Sequence, residues 1–133
     1  LFQQEHILYR VADVTEWTDC SGIAEHHRSC EELAQVFGDC CASRLLTLRD
    51  GRLFICPFLA NAQALHATPK AVDESLVLSR YKGIELRQAL REFMEKTYFR
   101  GCDFCAGRPR GIVNIPAAIQ TKEPKIYDRY DVD

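Results

Sequence analysis

No apolar run in the sequence approaches the ~18 residues that a membrane-spanning helix requires, so a membrane span is not expected. Nor does the chain open on the charged-then-apolar pattern of a secretory leader. An excess of positive charge is also missing. Seventeen Lys and Arg stand against 19 Asp and Glu, for a formal net charge of -2. That balance argues against nucleic acid or a membrane surface as partner. There is no internal repeat and no low-complexity tract. Methionine occurs only at Met94, and position 1 is Leu1. The expectation is a processed product or a segment of something larger.

What the sequence does have is cysteine: Cys20, Cys30, Cys40, Cys41, Cys56, Cys102 and Cys105. An odd count cannot pair completely within the chain, and no leader points to an oxidising compartment. A cytoplasmic protein with metal-binding thiols is the expectation. At 133 residues, 47% hydrophobic and 27% charged, the chain reads as a single globular domain, 1–133, long enough to bury a core.

The periodicities outline an α+β fold. His6–Val11 suits a short strand and Trp17–His27 a polar loop, with Trp17 assigned to the core. Ser29 and Glu32 form a capping-box pattern ahead of Leu33, Val36 and Phe37, predicting a helix over 30–37 that ends at Gly38. Arg44–Arg49 and Arg52–Cys56 are strand-like runs around Asp50-Gly51, a type I′ hairpin pair. A helical turn or two is expected over 58–65 and a linker over 68–74. The best helix is 83–98, where Ile84, Leu86, Leu90, Phe93, Met94 and Tyr98 recur near the 3.6-residue period. Ile112–Ile119 is short and apolar, and the tail over 121–133 is charged.

The chemistry-bearing residues are the thiols. Cys102-Asp103-Phe104-Cys105 is a C-x2-C, whose two thiolates can face one metal from a tight turn. Cys41 and Cys56 flank the hairpin as C-x9-G-x4-C. If strand geometry runs back to Cys41, period-two alternation puts Cys41 on the face of Leu45 and Cys56, with Cys40 pointing away; a bend would reverse that choice. Four ligands thus emerge, Cys41 (or Cys40), Cys56, Cys102 and Cys105, and four thiolates suit a zinc site or a [4Fe-4S] cluster equally well by count. No residue stands out as catalytic. Cys20 and Cys30, the latter in the first turn of the predicted helix, are assigned no site role, and His26-His27 reads as part of a polar loop.

The C-x9-G-x4-C hairpin, followed at a distance by C-x2-C, resembles the SPASM/twitch auxiliary-cluster domains at the C-terminus of radical SAM enzymes. Cys56-Pro57-Phe58 with Ala60-Asn61-Ala62, Cys102 to Cys105 with Gly107-Arg108, and Ile115–Gln120 extend the resemblance over a metal-binding core of about 40–120. The C-x3-C-x2-C signature is absent from this sequence, so the cluster that cleaves S-adenosylmethionine would have to come from a radical SAM barrel in cis or in trans. No cysteine follows Cys105, which matches the shorter, one-cluster twitch form.

The resemblance implies a β-hairpin and a long amphipathic helix around a four-cysteine site. That site would hold an auxiliary [4Fe-4S] cluster relaying electrons or positioning a substrate that the sequence does not identify. A structural four-cysteine zinc module is the alternative, and a thiol oxidoreductase ranks third. Arg100, Arg108 and Arg110 are expected to raise the cluster's potential through nearby positive charge.

Overall fold

The computed structural model describes residues 8, 15–20, 22–109, 111–117 and 122–123. The strand expected over 6–11 apart from Leu8, the end of the apolar segment at 118–119 and almost all of the tail therefore lie outside the described residues. Among those described there are three α-helices and two small antiparallel sheets, the α+β arrangement expected.

Helix α1 (Cys30–Asp39) begins on the expected capping box. Ser29 Oγ accepts from the Glu32 amide at 3.3 Å, and the Glu32 carboxylate accepts from the Ser29 amide at 2.8 Å. Gly38 does not end α1: the helix runs one residue past it, and Cys40 is the C-cap. Ser29→Ala removes one arm of the box and is expected to lower stability by about 1 kcal/mol, read as a small fall in the urea unfolding midpoint.

Strands β2 (Thr47–Arg49) and β3 (Arg52–Phe54) pair across Asp50 and Gly51 in the expected register, with Arg49 opposite Arg52. Both turn residues have positive φ, 50° and 71°, as a type I′ turn demands. The ladder is shorter than expected. Residues 41–44 form a turn in which Ser43 N donates to Cys40 O and Leu45 N to Ala42 O, and Arg44 sits at φ 65°. Leu45 therefore does not extend the ladder to Cys56.

Helix α2 (Pro57–Ala64) follows with Pro57 at its first position, where a missing N–H costs nothing. The expected linker carries a 3-10 turn at Lys70–Val72 and leads to β4 (Leu76–Val77), which adds to β3. The Arg52 guanidinium anchors this connection through an ion pair with Asp73 and a 2.9 Å bond to Ser75 Oγ.

Helix α3 (Gly83–Glu95) ends three residues before the expected Tyr98. Lys96 turns out of the helix, pairs with Glu74 at 2.8 Å and lies 5.0 Å from the centre of the Phe99 ring. Of the five expected apolar positions that lie on α3, Phe93 is buried, whereas Ile84 is 81% exposed.

A second sheet was not legible in the sequence. Strand β1 (Glu16–Thr18) pairs with β5 (Asn114–Pro116), Trp17 opposite Ile115. Trp17 is half exposed there and does not belong to the core, a correction to the expectation. The core gathers Phe37 of α1, Phe54 and Ile55 at the end of β3, Leu59 of α2, Phe93 of α3, and Phe99. Phe99 is at its centre, with ring centroids 5.7 Å from Phe37 and 5.2 Å from Phe93.

Candidate metal centre

Three element ends converge beside this core. The C-terminus of α1 delivers Cys40. The junction of β3 and α2 delivers Cys56, which is the N-cap of α2. A 3-10 turn, Arg100–Phe104, delivers Cys102, with Cys105 as its C-cap. All four line one cavity, whose remaining walls include Phe37, Ile55, Phe58 and Leu59 and carry no charged side chain.

The choice between the adjacent thiols falls on Cys40. Cys41 is exposed, and its amide donates to Arg108 O at 2.9 Å. The alternation that favoured Cys41 fails because no strand reaches it: residues 41–44 turn instead of extending. Cys20 and Cys30 lie away from the cavity. Cys30 opens α1 at the surface, where Tyr98 Oη donates to its Sγ at 3.2 Å.

Local chemistry explains how the C-x2-C turn comes so close to α2. A Cβ at Gly101 would run into the Leu59 side chain, so glycine lets the turn sit against α2 without displacing Leu59. The turn is closed by Cys102 N donating to Phe99 O at 2.9 Å and Cys105 N to Cys102 O at 3.4 Å. The Gly107 amide donates to Cys105 Sγ at 3.3 Å.

Burial pushes the Cys102 thiol from the ordinary 9.0 up to about 12, aided by the neighbouring Cys56, Cys105 and Cys40, and the amide of Phe99 opposes. Cys56 moves the same way, again chiefly through burial, with the α2 amide of Leu59 pulling down. Raised in this way, both thiols are held in the neutral form at neutral pH in the metal-free protein.

A pH dependence follows for the metal-free protein. Both folded thiols titrate above their unfolded values, so the stabilising contribution of Cys102 is complete below about pH 9 and is lost as pH rises toward 12, and that of Cys56 falls in the same direction. The slope is about 1 kcal/mol per pH unit for one thiol in that window. Urea unfolding at pH 8 and pH 10 should show lower stability at pH 10, and Cys102→Ala should flatten the difference.

Two dimensions bear on the kind of centre. No three of the four thiols lie within 4.8 Å of one another. A closed zinc tetrahedron with Zn–S of ~2.3 Å would need sulfurs about 3.8 Å apart. The cavity between them is narrow, about 30 Å³, or roughly two water molecules. The four thiols expected as ligands thus share one cavity, but no three of them are gathered at single-ion spacing, so a formed four-cysteine metal site is not seen. The tightest ligand-type cluster among the described residues is instead on the surface, where Glu25, His27 and Asp103 come together.

The arginines expected to bear on the site do not act as a group. Arg100 is exposed and faces Glu74. Arg108 lines a neighbouring cleft with Phe58 and Asn61, and Arg110 lies outside the described residues. The guanidinium that does reach the C-x2-C turn belongs to Arg28, a residue to which the sequence pattern assigns no role. Its Nη1 donates to Cys102 O at 2.7 Å and to Cys105 O at 2.9 Å. Nothing local in the sequence signals a contact spanning more than seventy residues. No family model matches the chain, and comparison with curated proteins and with solved structures likewise gives no match.

Proposed function

We propose that the chain is an auxiliary [4Fe-4S] domain of a radical SAM-type enzyme, with Cys40, Cys56, Cys102 and Cys105 as the ligands. The observation that carries the reading is the convergence of four thiols, from three separate element ends, on one cavity with no charged wall. The preference for a cluster over a single zinc ion rests on the resemblance of the C-x9-G-x4-C and C-x2-C spacing. The link to a radical SAM barrel rests on the resemblance of the cysteine spacing and its flanking residues.

Bound there, a [4Fe-4S] cluster would supply one-electron transfer. The chain's own residues set the surroundings. Phe37, Ile55 and Leu59 keep water from the inner wall. The Gly107 amide donates to the Cys105 sulfur, and the positive end of α2 faces Cys56; each favours the thiolate form. With four cysteine ligands no coordination position is left for substrate, so electron relay or bracing of the domain is the assigned role.

The narrow cavity favours a second reading, a structural zinc module. The two part on redox behaviour: anaerobically purified protein should show a broad visible band that bleaches on reduction, whereas zinc gives neither colour nor redox chemistry. A free-standing thiol oxidoreductase is set aside, because that chemistry needs a lowered thiol pKa and burial raises Cys102 and Cys56 instead.

A further inference from the structure

The C-x2-C turn is held from outside by a segment far away in sequence. Residues 22–28 run along it: Ala106 N donates to Gly22 O at 3.0 Å, Ala24 N to Phe104 O at 3.3 Å, and His26 N to Asp103 O at 3.0 Å. The Asp103 carboxylate, between the two cysteines, accepts from the amides of His27 at 3.2 Å and Arg28 at 2.8 Å. The half-buried Arg28 side chain then closes the clasp on the carbonyls of both Cys102 and Cys105.

We propose that Arg28 is a positioning residue for the metal site: it fixes the C-x2-C turn and ties it to the helix that delivers Cys40. This rests on the reading of the four thiols as ligands.

Three features support it. The bonds join a full positive charge to the carbonyl end of a 3-10 turn, where the peptide dipoles favour a cation, and charge-assisted bonds are the stronger kind. Arg28 also precedes the Ser29 cap of α1, and the C-cap of the same helix is Cys40. A ten-residue helix is a rigid spacer of about 15 Å. The clasp therefore sets three of the four thiols against one another, leaving Cys56 to the β3–α2 junction. Finally, one nitrogen makes both bonds, so an ammonium can replace it, whereas a neutral amide keeps donors and loses charge.

The test compares the full chain with Arg28→Gln and Arg28→Lys, each reconstituted anaerobically with iron and sulfide and, separately, loaded with zinc. Arg28→Gln should bind at the parent stoichiometry but lose metal to a chelator about 10–100-fold faster, the usual effect of an outer-shell change. Arg28→Lys should stay close to the parent.

A second readout needs no metal. Alkylation of the metal-free proteins, mapped by mass spectrometry, should show Cys102 and Cys105 labelling faster in Arg28→Gln, with Cys41 unchanged and the melting temperature little altered. Equal metal loss and equal labelling in all three proteins would overturn the proposal. So would a Lys variant that melts and labels like the Gln variant, because Arg28 would then be a general structural residue. If the parent takes up neither metal, the ligand reading fails and a metal-site role for Arg28 falls with it, whereas uptake by the parent with unchanged metal loss and labelling in Arg28→Gln overturns the role of Arg28 alone.

Discussion

Cys102→Ser is expected to abolish metal retention, a loss exceeding the ~10–100-fold of an outer-shell change, because a hydroxyl is a poor replacement for one of four thiolates. Cys40→Ser should do the same and Cys41→Ser should not, although the two residues are adjacent. The contrast is the sharper part of the prediction. Cys40 lines the cavity with Cys56, Cys102 and Cys105, while Cys41 is exposed with its amide tied to Arg108. Metal analysis of the three variants, purified side by side without oxygen, checks it. Retention in Cys40→Ser together with loss in Cys41→Ser would restore the strand-parity choice and require the 41–44 turn to rearrange on binding.

The second large effect is on stability. Phe99 is 1% exposed and touches Phe37 of α1 and Phe93 of α3. Phe99→Ala should cost about 3–5 kcal/mol through lost burial and the cavity left behind. For a chain of 133 residues that is a fall in Tm on the order of 10–20 °C. Calorimetry of the metal-free protein reads it directly. Phe99 also anchors the turn that carries Cys102, since Cys102 N donates to Phe99 O. The same variant should therefore bind metal more weakly, linking the core to the site.

The local signals in the sequence were legible where local physics decides. The capping box at Ser29, the Asp50-Gly51 turn and the apolar period of α3 each act over a few residues, and each element forms close to where the pattern put it. The misses are non-local. Strand β1 is three residues, Glu16–Thr18, whose partner β5 is some hundred positions away, and β4 has only two residues. Neither length carries a readable alternation. The hairpin stops short because residues 41–44 prefer a turn, and that one local departure reversed the face assigned to Cys40 and Cys41.

For the candidate site the pattern was the same. Spacing singled out Cys56, Cys102 and Cys105, all of which line the cavity, because the hairpin and the C-x2-C turn are short-range features. The geometry around them was not legible. Arg28 reaches the turn only through the tertiary path of residues 22–28, while Arg100 and Arg108, neighbours in sequence, are directed elsewhere by Glu74 and by the adjacent cleft. Proximity along the chain was a poor guide to which positive charge attends the thiols.

The central claim is that these four thiols hold one iron–sulfur cluster. Iron, acid-labile sulfide and zinc per chain, measured together on protein purified without oxygen, test it most directly. About four irons and four sulfides per chain, with zinc near background, is the predicted result. One zinc per chain with no iron or sulfide, in protein never exposed to air, would contradict it and leave a structural zinc module in its place.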